Sequence, residues 1–193
     1  MTKWLSHRMV ERGIIKEEEQ ELYQFGICNG MILLLNVVTA LVIGLLTEQL
    51  AVVAVFTLSF MVLRSYTGGY HSDSRVFCYL GSNLVLLVPV YTQAVFYKTS
   101  LAWLLAVLLV SAGIIFLLSP MHSKNRKLDK EEQKHFGRKA RLIVALELAV
   151  LGILWHAGQI PYAYAVYTGI CITALFMLVG KAQLWIQSHT ENG

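Results

Sequence analysis

With 193 residues, 56% of them hydrophobic and only 15% charged, the chain is too apolar for a soluble domain, where about a quarter of residues are charged. Mean hydropathy is +0.57, and the charges cluster, leaving long apolar runs without the two-residue alternation of a membrane β-barrel. The composition therefore predicts one all-α polytopic membrane domain, and its net charge of +4 matters less than where the charges lie.

Residues 1–21 are rich in charge: Lys3, Arg8, Glu11, Arg12, Lys16, Glu17, Glu18, Glu19 and Glu21. This leaves no pattern of a cleavable signal peptide. Trp4, Leu5, Met9, Ile14 and Ile15 form an apolar stripe interrupted at Gly13. The pattern predicts an N-terminal amphipathic arm over residues 1–25, one or two short helices lying in the membrane interface.

Residues 22–47 carry no charge, and a helix of about 20 residues crosses a bilayer core. A first span is predicted at 27–46, followed by a short turn at Glu48-Gln49. The second, at 49–64, is short, and Arg64 can snorkel from its end. A polar island follows, Arg64 to Cys78. The third span is predicted at 77–97 with Pro89 inside it, which membrane helices tolerate. Lys98-Thr99-Ser100 turns the chain into a fourth span at 101–118. Ser119-Pro120 ends it.

Next comes a basic segment: Lys124, Arg126, Lys127, Lys130, Lys134, Arg138, Lys139 and Arg141, opposed by Asp129, Glu131 and Glu132. The fifth span, 142–157, contains Glu147. A buried charge at mid-span costs roughly 2.5–3.5 kcal/mol, so Glu147 is expected to face the bundle interior or to be protonated. Asn36, Asn83, Gln93 and His156 are its candidate partners. Gly158-Gln159-Ile160-Pro161 reads as a tight turn, and the sixth span is predicted at 162–180.

Six spans put both termini on one side. Of the 16 Lys and Arg residues, only Lys98 then falls on the other side. The positive-inside rule makes the crowded face cytoplasmic, and the chain is expected in the bacterial cell membrane with Arg64, His71 and Cys78 at its cytoplasmic edge. There Cys78 is expected to be a free thiol. Cys28, Cys78 and Cys171 show neither metal-type spacing nor a disulfide framework. No metal, cofactor or nucleic-acid partner is expected. Short spans and interfacial helices fit a homodimer.

The island carries the chemistry. A thiolate is a nucleophile, and a histidine can take its proton and return it to a leaving amine. His71 and Cys78 are seven positions apart, so in one straight helix their Cα atoms lie about 10.5 Å apart. Proton transfer needs about 2.6–3.2 Å. The chemistry therefore requires a break between them. Gly68-Gly69 disfavours continuous helix, and Ser72, Asp73 and Ser74 are good N-caps for the following helix. Cys78 would then sit near a helix N-terminus, whose dipole favours a thiolate. Spacing alone leaves the bland alternative open, with Cys78 as an apolar filler and His71 as a boundary residue.

The string Arg64-x-x-x-Gly68-Gly69-Tyr70-His71-x6-Cys78 resembles the signature of the accessory gene regulator B (AgrB) family, membrane cysteine endopeptidases that process pro-peptides of quorum-sensing signals. The resemblance extends to Ile14-Ile15, Glu17-Glu18-Glu19 and Tyr23-x-x-Gly26 before the first span. It extends also to Ser119-Pro120 followed by Asn125-Arg126-Lys127-Leu128. It implies Cys78 as nucleophile and His71 as acid–base. It implies removal of a pro-peptide's C-terminal tail through a thioester, and closure of a thiolactone or lactone autoinducer. Arg64, Gly68, Gly69 and Arg75 are candidate substrate contacts, although both arginines can instead snorkel to phosphates. Asp73 can orient His71 or simply cap the helix. The family's pro-peptides commonly pair an amphipathic leader with an acidic tail, which the basic segment can attract as readily as anionic lipid. The alternative is a small membrane transporter or exporter of peptides without peptidase activity, with Glu147 and His156 as its polar path.

Overall fold

The computed structural model describes residues 2–68, 75–121 and 129–190. Among them every regular element is helical: α1 Thr2–Glu11, a 3-10 turn Glu17–Glu19, α2 Gln20–Leu46, α3 Leu50–Thr67, α4 Arg75–Tyr91, α5 Gln93–Lys98, α6 Leu101–Leu118, α7 Lys130–His156 and α8 Ile160–Thr190. The chain divides into two compact units, Met1–Thr39 and Ala40–Gly193.

In the first unit, α1 ends as the interruption at Gly13 predicts. Gly13 is left-handed (φ +66°). Its N–H bonds the Val10 carbonyl and the Ile14 N–H bonds Met9, the paired closure of a Schellman motif. Glu19 then accepts from the Lys16 N–H at 3.2 Å and helps start the next helical run. His7–Glu11 and Arg8–Glu11 contacts lie on the exposed side of α1.

The second unit is built around α8, which packs against α3, α4, α5, α6 and α7. The reason is its sequence. Ala163, Ala165, Gly169 and Ala174 keep its surface low, and close approach is what drives helix association in lipid. A Cβ on Gly169 would lie 2.5 Å from Ser59 Oγ of α3. One core cluster gathers Val52, Val53, Phe56, Leu86, Val90, Ala165 and Ile172; another gathers Leu63, Leu108, Ile115, Val144, Val166, Ile170, Ala174 and Met177. Meanwhile Trp103, Leu105, Leu109, Val110, Phe116 and Leu117 of α6 are exposed, an outward apolar face that suits lipid.

Four helical stretches among the described residues are long and apolar enough to cross a membrane: Glu17–Leu46, Leu50–Thr67, Leu101–Leu118 and Ile160–Ile186. The apolar part of α4, Tyr79–Tyr91, is shorter. The element bounds depart from the predicted spans: α2 begins at Gln20 rather than 27, taking in the end of the predicted 1–25 arm, and α3 runs on to Thr67 rather than 64. The expected 77–97 helix breaks at Thr92, just after Pro89. Proline removes one helical donor and crowds the preceding turn. At the break the Thr92 hydroxyl donates to the Val88 carbonyl at 2.8 Å and pairs with Tyr164 Oη at 2.6 Å. The fifth helix starts at Lys130 rather than 142, and the sixth runs on to Thr190 rather than 180. Charged residues stop an apolar run without stopping a helix, since Lys, Glu, Gln and Arg are good helix formers.

The turns end as backbone chemistry requires. After α7, Gly158 is left-handed (φ +71°), and the Gln159 N–H closes on Leu154. After α2, the same closure places Glu48 at φ +57°, with Gln49 N–H on the Gly44 carbonyl.

Candidate functional site

α3 ends at Thr67 and α4 is described from Arg75; the stretch from His71 in which the His71–Cys78 spacing demands a break lies largely outside the described residues. Gly69, His71 and Asp73 lie outside the described residues. Arg75 is the first described residue of α4, and Cys78 is the fourth.

What the structure draws in detail is the root of the island. Thr67 is fully buried, and its carbonyl accepts the Met121 N–H at 2.9 Å. Gly68 ends α3 with φ +70°, and a Cβ there would lie 2.6 Å from the Met121 carbonyl oxygen. Only glycine fits both the backbone and the space. Arg64 turns back along its own helix and donates from Nη1 to the Gly68 carbonyl at 2.6 Å. Its guanidinium also lies 5.3 Å from the Phe176 ring centroid on α8. The Thr67 hydroxyl adds a weaker bond to the same Gly68 carbonyl at 3.3 Å. So the carbonyls that a helix end leaves without partners are covered here by one cation, one hydroxyl and one backbone N–H from a distant segment.

That distant segment is itself held. Ser119 and Gly137 are buried, and a Cβ on Gly137 would meet Pro120 Cδ at 3.0 Å and Ser119 O at 3.4 Å. Alongside, Tyr66 packs on Phe136 with ring centroids 6.3 Å apart, and Lys139 Nζ sits 5.7 Å from the Tyr66 ring. The ends of α3 and α6 and the first turns of α7 therefore meet at one place, where the chain departs toward Gly69, Tyr70 and His71.

Part of the basic segment is helical. Lys134, Arg138, Lys139 and Arg141 lie on α7 and are exposed. Arg141 donates from Nε to the Phe116 carbonyl at 3.3 Å and lies over that ring at 5.2 Å. Lys124, Arg126 and Lys127 lie outside the described residues.

Glu147 meets a partner that the sequence reading did not include. The Ser59 hydroxyl of α3 donates to Glu147 Oε2 at 2.8 Å. Of the expected partners, Asn83 donates to Tyr79 O and Gln93 to Tyr97 Oη. His156, nine positions further along α7, lines a pocket of about 270 Å³ with Phe96, Leu104, Trp155 and Tyr167. A carboxyl finds the nearest hydroxyl across a helix pair, and no sequence period encodes which one that is.

Ser59, Met121, Gly137 and Tyr164 were absent from the sequence reading. Only Gly137 left a signal. A glycine amid Lys, Arg and Phe in a helical stretch costs about 1 kcal/mol against alanine and usually has a packing reason.

Comparison with known proteins follows the same residues. The family model described as accessory gene regulator B matches residues 1–178. The chain is 23% identical over 165 residues to an AgrB-like protein of Clostridium perfringens strain SM101, covering 81% of this chain and 77% of that one. It is 25% identical over 148 residues to a second such protein, from C. perfringens strain 13, covering 72% and 69%. The accessory gene regulator protein B of Staphylococcus intermedius is 26% identical over 121 residues, covering 63% and 62%. No solved structure matches.

Proposed function

Because the chain belongs to the accessory gene regulator B family, we propose that it is a membrane-embedded cysteine endopeptidase that trims a quorum-sensing pro-peptide. Cys78 is the nucleophile and His71 the acid–base group. The observation that carries this reading is the end of α3 at Gly68, with Cys78 the fourth residue of α4 as described from Arg75. A thiol near a helix N-terminus gains from the dipole, and in this reading a turn between His71 and Cys78 removes the separation that a straight helix would impose.

The thiolate sulfur of Cys78 attacks the carbonyl carbon at the junction between signal region and C-terminal tail. The carbon–nitrogen bond breaks, and His71 gives its proton to the departing amine. This leaves the signal region as a thioester on Cys78. A thiol or hydroxyl within the peptide then gives its proton to His71 and attacks that carbonyl, which breaks the bond to sulfur, returns Cys78 as thiolate and closes the ring. Exchange between thioesters is near balance, whereas hydrolysis runs downhill, so water must be kept from the thioester.

In this reading the chain crosses the bacterial cell membrane six times. α4 with α5, and α7 beyond Arg141, supply the two crossings besides the four long apolar helices. Both termini and the His71–Cys78 site face the cytoplasm, and the partners are a pro-peptide and the bilayer. The test is co-expression with a pro-peptide, followed by intact mass of the purified protein. The expected result is an acyl adduct on wild type, and tail release lost in Cys78→Ala and His71→Ala with membrane insertion unchanged. Tail release by Cys78→Ala would rule out the thiol mechanism.

A further inference from the structure

We infer that the outward face shared by α6 and α7 is a phospholipid site, where Lys134, Arg138 and Arg141 hold an anionic headgroup and one acyl chain lies between the helices. This goes beyond the peptidase reading and does not depend on it. The three cations stand at i, i+4 and i+7 on α7 and are exposed, so they share one face of that helix. Among the described residues Lys134 and Arg138 enter no ion pair. Arg141 is held against α6, with Nε on the Phe116 carbonyl and the guanidinium 5.2 Å from that ring. One cation is thereby fixed where the two helices meet, and its other N–H groups are left to donate to an acceptor such as a phosphate.

Beyond Arg141 the exposed surface of α7 turns apolar, through Leu142, Ala145, Leu146 and Ala149. On α6, Phe116, Leu109 and Leu105 are exposed as well. Leu105 lies eleven residues before Phe116, Gly152 lies eleven beyond Arg141, and both line one cavity of about 270 Å³. The two helices therefore run antiparallel, with the cation at one end of their shared face and the cavity further along it. At 1.5 Å per residue the separation is about 16 Å. The chains of one leaflet fill half of a core about 30 Å thick, so a headgroup at Arg141 carries its chain end to the cavity. A Cβ on Gly152 would meet nothing within 4 Å, which leaves open space there, and Leu101, Leu104, Leu108 and Trp155 supply an apolar wall. Orientation by positive charge needs only cations on one side; it does not call for a cavity one chain length away from them. A soluble acidic peptide would neutralise the cations and leave the apolar part of this face unused.

The test uses the full-length protein with Trp155 as its one tryptophan (Trp4→Phe/Trp103→Phe/Trp185→Phe) in vesicles of fixed phosphatidylglycerol and phosphatidylcholine content. Brominated acyl chains are carried by one lipid or the other, so the surface charge stays constant while the quencher moves. Each cation beside an anionic headgroup contributes about a factor of five. Labelled phosphatidylglycerol is therefore expected to quench Trp155 with a preference of at least about tenfold over labelled phosphatidylcholine. Lys134→Gln/Arg138→Gln/Arg141→Gln should abolish that preference. Gly152→Leu fills the cavity and keeps every charge, and it should bring quenching by labelled phosphatidylglycerol down toward that by phosphatidylcholine. Equal quenching by the two labels with the cations intact overturns the inference, and so does a preference that survives either the neutralisation or the filled cavity. Equal quenching together with binding of a soluble oligoglutamate, lost on neutralisation, would assign the cations to an acidic peptide instead. Should the triple variant not fold, Lys134→Gln and Arg138→Gln decide singly, each expected to lower the preference about fivefold.

Discussion

Arg64 illustrates how one side chain can serve its own backbone before anything else. Its guanidinium bonds the Gly68 carbonyl and lies over Phe176, two contacts that use a planar, forked cation. Lysine offers a point charge without the plane. Arg64→Lys is therefore expected to behave more like loss than conservation. A hydrogen bond from a charged donor contributes about 1.5–3 kcal/mol, and unfolding in detergent should show a loss of that order for Arg64→Met, with most of it persisting in Arg64→Lys. Full stability in Arg64→Lys would mean that the charge, not the planar contact, holds the helix end. At the same scale Glu48 is a non-glycine residue in left-handed backbone, φ +57°. That conformation costs an ordinary L-residue roughly 1 kcal/mol. Glu48→Gly is expected to raise stability by about that amount, and an unchanged or lowered melting temperature would count against the left-handed turn.

Between elements, the Ser59–Glu147 bond ties α3 to α7 where Gly169 brings α8 close. Ser59→Ala leaves the Glu147 carboxyl without this donor, at a cost of about 1–3 kcal/mol. Replacing both partners with apolar residues removes the orphan. Ser59→Ala/Glu147→Leu is therefore expected to be more stable than Ser59→Ala alone, the signature of coupled sites in a double-mutant cycle. Strict additivity would show that the two side chains do not meet. Sequence periodicity predicted the helices on both sides of this contact, the break between α3 and α4, and the turns at Glu48 and Gly158. It placed the ends of the later helices too early, because lysines and arginines end an apolar run but extend a helix. It gave no hint that Met121, remote in sequence, closes the end of α3.

For the molecule as a whole, the proposed orientation rests on the distribution of cations. Only Lys98, at the end of α5, lies apart from the rest in the six-crossing arrangement. In a cysteine-free background, Lys98→Cys is expected to react with a membrane-impermeant maleimide added to intact cells. Glu131→Cys, in the first turn of α7, should react only after permeabilisation. Equal labelling of both from outside would overturn the cytoplasmic placement of the site.

The amino-acid sequence by itself determined the all-helical membrane class and the polar island that holds the proposed Cys–His pair, because hydrophobic runs, charge position and glycine chemistry act locally. The resemblance carried by Arg64 to Cys78 is likewise a property of neighbours along the chain, and the match over residues 1–178 agrees with it. Only the tertiary structure decided which hydroxyl meets Glu147, why Arg64 folds back, and why a glycine stands at 137 in α7. Each of these is settled by atoms that close approach of helices brings together from far along the chain, and such approach depends on the packed bundle rather than on any local period.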